Sequence, residues 1–64
     1  MKEKSNNKYG VKAYGKWKMF ATSHAYREYL FAWIAGTEGA ECDRAVTALV
    51  NLDAGIAMTD TDAI

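Results

Sequence analysis

With 64 residues the chain makes one small domain, and at this size folding buries only roughly 60% of the surface exposed by the unfolded chain. Half of the residues are hydrophobic, which excludes wholesale disorder, while the single cysteine, Cys42, excludes an internal disulfide and a zinc site of the multi-cysteine kind. The formal net charge of zero hides a split: Lys2, Lys4, Lys8, Lys12, Lys16, Lys18 and Arg27 stand against Glu3 alone, then Glu28, Glu38, Glu41, Asp43, Asp53, Asp60 and Asp62 against Arg44 alone. Such sorting points to oriented association, with a partner or with a second copy, and names no chemistry.

Residues 1–8 are polar and basic and read as a flexible tail ahead of a single α+β domain over 9–59. From Tyr9 the pattern alternates. Tyr9, Val11 and Ala13 share one face of an extended segment, Trp17, Met19 and Ala21 share one face of a second, and Gly15 marks the turn between them. A two-residue turn would pair Val11 with Lys18 and Lys12 with Trp17, mixing polar and apolar on each face. A three-residue loop, Tyr14-Gly15-Lys16, pairs Ala13 with Trp17, Val11 with Met19 and Tyr9 with Ala21, so the wholly apolar face predicts the longer loop.

Thr22 and Ser23 offer N-caps for a helix over His24–Ala35, in which Tyr26, Tyr29, Leu30, Trp33 and Ile34 form an apolar stripe and Gly36 supplies the stop. Phe31 breaks the pattern by projecting on the polar side, between His24 and Arg27. A second helix is expected over Glu38–Leu52, capped by Thr37, with Cys42, Ala45, Val46, Leu49 and Leu52 buried and Asp43, Arg44, Thr47 and Asn51 facing away. Ile56–Thr59 alternates again and offers a short third strand, giving the order ββααβ. The acidic end, residues 60–64, is expected to fray.

Constellations able to carry chemistry are sparse. His24 and Cys42 are the sole residues of their types, yet they fall on the polar start of one helix and the apolar face of the next, which argues against a nucleophile pair. Asp53, Asp60 and Asp62 lack the spacing of a calcium loop, and Gly10 and Gly15 do not make a phosphate loop. A helix-turn-helix reader is opposed by Glu38, Glu41 and Asp43 at the start of the second helix, where they would meet phosphate. No catalytic residue, metal or cofactor is therefore expected, and the chain reads as non-enzymatic.

Two surfaces remain. Phe31 with Arg27 and His24 is the candidate protein-contact surface, and an oligomer, most simply a homodimer, would relieve the small core. The alternative is single-stranded nucleic-acid binding by a hairpin face carrying Lys12, Tyr14, Lys16, Lys18 and Phe20, with cations tracking phosphates and rings stacking on bases. In a third reading the acidic Glu38–Asp62 region mimics nucleic acid and blocks a basic partner. No apolar run approaches the roughly 18 residues of a membrane span, the first residues lack a signal-peptide core, and one free thiol suits the cytoplasm. In size and pattern the chain resembles small accessory proteins of bacteria and their phages, a likeness that rests on no motif.

Overall fold

The computed structural model describes residues 7–63. Its elements follow the order β1 (Tyr9–Ala13), β2 (Lys16–Phe20), α1 (Ser23–Ala35), α2 (Ala40–Asp53) and β3 (Met58–Asp60), closed by a 3-10 turn over Thr61–Ala63. The result is an α+β domain of two layers, a three-stranded mixed sheet and a helix pair. β1 lies at the centre of the sheet, antiparallel to β2 and parallel to β3. Apart from Asn7 and Lys8, both exposed, the expected basic tail lies outside the described residues.

The hairpin adopts the register that an all-apolar face argued against. Val11 pairs with Lys18, Lys12 with Trp17 and Tyr9 with Phe20, around a two-residue turn at Tyr14-Gly15. Both turn residues have positive φ, 58° at Tyr14 and 78° at Gly15, the conformation whose twist suits a two-residue hairpin. Glycine takes it freely, whereas an L side chain at such a φ costs roughly 1–2 kcal/mol. The offset comes from the far end of the chain. The Asp62 carboxylate accepts the backbone N–H of Tyr14 at 2.8 Å and of Gly15 at 2.7 Å, and the Arg44 guanidinium lies 4.8 Å from the centre of the Tyr14 ring.

This register turns Tyr9, Val11, Lys18 and Phe20 toward the helices and leaves Trp17 and Met19 on the outer face. Lys18 is accommodated because its ammonium lies over the rings of Phe20 and Tyr29, at 6.0 and 5.8 Å from their centres. On the outer face Met19 covers Gly10, where a Cβ would stand 2.5 Å from its sulfur. Glycine is what permits that close approach.

Helix α1 begins as its sequence implies, with the Thr22 hydroxyl accepting from Ala25 N–H at 3.1 Å. Tyr26 and Leu30 are fully buried, with Tyr29, Trp33 and Ile34 half-buried beside them. Helix α2 starts two residues later than expected, after Gly39 at φ 66°. Thr37 does not cap it. Its hydroxyl instead donates to the Trp33 carbonyl at 2.6 Å, closing the end of α1. The buried face of α2 is also rotated, to Ala45, Ala48 and Leu52, while Val46 is exposed. Arg44 and Asn51, expected in solvent, turn toward the chain end: Asn51 donates to the Thr59 hydroxyl at 3.1 Å and Arg44 pairs with Asp62 at 2.9 Å.

The core gathers Val11, Tyr26, Leu30, Ala48 and Leu52, and a run of rings continues it from Tyr9 through Tyr26, Phe20 and Tyr29 to Trp33. Over Asp60–Ala63 the acidic end forms the close of β3 and the 3-10 turn. Thr61 is 2% exposed and its hydroxyl donates to the Lys12 carbonyl at 2.6 Å, which ties the end to the central strand.

Candidate functional site

The residues singled out on α1 do share a surface. His24, Arg27 and Phe31 lie at helical spacings of three and four, and His24 and Phe31 are exposed. Arg27 is engaged within the chain, 2.8 Å from Asp53 at the end of α2. That ion pair fixes how the helices lie, with the start of α1 beside the end of α2. Phe31 is one turn above Arg27 and Val50 is one turn below Asp53, so the outer face of the helix layer carries Phe31, Val50 and, a further turn along, Val46. Their exposures, 47% for Phe31, 58% for Val50 and 40% for Val46, make this an apolar strip rather than a lone ring. Sequence reasoning missed the two valines because α2 was given a rotated face. The arrangement also separates His24 from Cys42, which sit at opposite ends of the helix layer, so they form no nucleophile pair.

The five hairpin residues of the nucleic-acid reading do not share a face. Phe20 is packed against Tyr26 and Tyr29, with ring centres 5.3 and 5.1 Å away. Lys12 lies on the opposite face of the sheet and pairs with Asp60 at 3.9 Å across β1 and β3. Tyr14 is held in the turn against Arg44. The cause is the two-residue turn, which sends Lys16 and Lys18 to the side of Tyr9 and Val11 and sends Lys12 to the other side.

What the register assembles instead is a cleft of about 310 Å³ between β2 and α1. Val11 and Ala13 floor it, Tyr29 and Trp33 line the helix side, and Lys16 and Lys18 line the strand side. Among the described residues, Lys12, Arg27 and Arg44 each have a carboxylate within ion-pair distance, whereas Lys16 and Lys18 have none. The sequence split of charge is thus partly closed inside the molecule, and two of the cations left without a partner, Lys16 and Lys18, border the cleft.

The acidic residues are dispersed. Asp53, Asp60 and Asp62 each serve a different cation, which removes three of the carboxylates that a nucleic-acid mimic would present. Among the described residues no three His, Cys, Asp or Glu side chains gather as metal ligands would, and no helix is long and apolar enough to cross a membrane. The Asp62 carboxyl is held below its ordinary value, first by the Gly15 N–H; burial opposes this, and the hydrogen bond and charge of Arg44, with the charge of Lys12, add to the lowering. No protein-family model, curated protein or solved structure matches this chain.

Proposed function

We propose that this protein is a non-enzymatic interaction module that associates with a second copy of itself through the outer face of its helix layer. The observation that carries this reading is the strip of Phe31, Val46 and Val50, three exposed apolar side chains on the face turned away from the sheet. The fully buried apolar set is small and includes two alanines, Ala45 and Ala48, so the isolated subunit has little core to spare and gains from covering more apolar surface. Arg27 and Asp53 at the rim pair with each other within the subunit, so neither charge opposes a second copy across a two-fold axis. A free Cys42 suits a reducing compartment, and the cytoplasm is the setting proposed for it.

Sedimentation velocity over a range of concentrations tests the proposal. The parent chain is expected to shift from monomer to dimer as concentration rises, and Phe31→Ser with Val50→Ser to remain monomeric with an unchanged circular dichroism spectrum. A parent chain that stays monomeric throughout would sink it.

A further inference from the structure

We propose that the cleft between β2 and α1 is a binding site for a planar aromatic anion of the nucleotide type. The site lies on the sheet side of α1 and is independent of the association face, so the two readings stand or fall separately.

Shape and chemistry point the same way. A volume of about 310 Å³ is at the lower end of ligand-sized pockets, enough for one nucleotide unit and small for anything longer. The helix wall consists of two aromatic side chains one turn apart, Tyr29 and Trp33, whose ring centres are 6.1 Å apart and whose planes are inclined by 51°. Neither wall residue is fully buried, so ring surface is open to a stacked base, an interaction that every base can make. Opposite stand two ammonium groups that have no carboxylate partner among the described residues. Lys18 is held in place by the Phe20 and Tyr29 rings. The floor of Val11 and Ala13 is apolar and offers a base edge no side-chain partner, so stacking and charge set the class of ligand and not one particular base.

A lysine on an edge strand has an ordinary role, preventing sheet-to-sheet pairing. Here, however, the strand turns these two lysines toward the helices, and it is Trp17 that occupies the outer face between them. Both lysines remain exposed to solvent, so their ammonium groups can reach a phosphate bound beside the rings.

The shared chemistry, a base carrying a phosphate, occurs both in a free mononucleotide and in a single strand. An NMR titration of the full chain at low salt separates the sources and tests the site. Its probes are adenosine monophosphate, adenosine, inorganic phosphate and a short poly-dT oligonucleotide. Adenosine monophosphate is expected to shift the Trp33 indole and the Lys16–Lys18 amides saturably and to leave Phe31 unmoved, with adenosine and phosphate each weaker because they supply half of the recognition. The oligonucleotide binding more tightly than the monophosphate assigns the single strand as the source, and equal or weaker binding assigns the free nucleotide. Lys16→Gln with Lys18→Gln should weaken binding by about tenfold or more, as expected when two charged hydrogen bonds are lost, whereas Lys12→Gln on the opposite face should leave it unchanged. All three substitutions fall outside the buried core, and an unchanged circular dichroism spectrum for each variant checks that the fold is kept. The proposal is overturned by the absence of saturable binding to both nucleotide probes, or by Lys12→Gln weakening binding as much as the cleft pair.

Discussion

The Asp62 carboxylate and the backbone N–H of Gly15, 47 residues apart in the chain, lie 2.7 Å from each other. With the second oxygen taking the Tyr14 N–H, one side chain satisfies both donors of the hairpin turn. Arg44 completes the arrangement by bonding Asp62 from α2 while covering the Tyr14 ring. A turn that local sequence disfavours at Tyr14 is therefore held by the end of the chain.

Asp62 has a folded pKa below its ordinary 3.8, because the charged form accepts the Gly15 N–H and faces Arg44. A lowered folded value means that its stabilisation is present above the ordinary carboxylate range and is lost as pH falls through the folded value. Asp62→Asn should lower the melting temperature at neutral pH and flatten the acid limb. Melting curves from pH 7 down to pH 2 check this, and identical acid limbs for the two proteins would count against the role given to Asp62.

Gly10 and Met19 should behave as a coupled pair. Gly10→Ala places a Cβ 2.5 Å from the Met19 sulfur and 3.2 Å from the Lys18 carbonyl oxygen, so it is expected to cost about 1–3 kcal/mol. Met19→Ala in the same chain should recover part of that loss, since it removes the flexible half of the clash. A double-mutant cycle by urea unfolding measures the coupling, and strict additivity would refute the packing described.

Tyr26 has a fully buried ring whose hydroxyl finds no hydrogen-bond partner among the described residues. Burial pushes its pKa up, and Thr59 offsets part of the rise without reaching hydrogen-bonding geometry. Tyr26→Phe should accordingly be neutral or stabilising, because an unsatisfied buried hydroxyl carries a desolvation cost of about 1–3 kcal/mol. A clear drop in urea midpoint would show that the hydroxyl is bonded in solution.

Adjacent positions on α1 should differ sharply. Leu30 is fully buried, so Leu30→Ala is expected to cost about 2–5 kcal/mol, whereas Phe31→Ser should cost less than about 1 kcal/mol when both are measured in dilute monomer. Chemical denaturation at low protein concentration makes the comparison free of association. Equal losses would mean that Phe31 is packed.

Local pattern was enough for the elements and their class. Alternation over Tyr9–Ala13, the Thr22 cap, the stripe of Tyr26, Leu30 and Trp33 and the order ββααβ are set by neighbours within a few residues, where backbone hydrogen bonding and side-chain period act. Phe31 was legible as an exposed ring for the same reason. The valines beside it were not, because the face that α2 buries depends on what packs against Arg44 and Asn51, and that is β3 and the 3-10 turn.

The hairpin register marks where local reading ended. Hydrophobic pattern alone favoured the three-residue loop, since it compares only the two strands. The tertiary structure added three terms the pair cannot contain: Asp62 bonding the turn, the Phe20 and Tyr29 rings receiving Lys18, and β3 pairing with the other edge of β1. Because side chains alternate, that shift of pairing carried Lys16 and Lys18 to the helix side and Trp17 to the outside. The sequence by itself determined which elements form and how charge is sorted along the chain. Which cations are paired, and which are left beside the cleft, was decided only when residues 44, 60 and 62 came back to the hairpin.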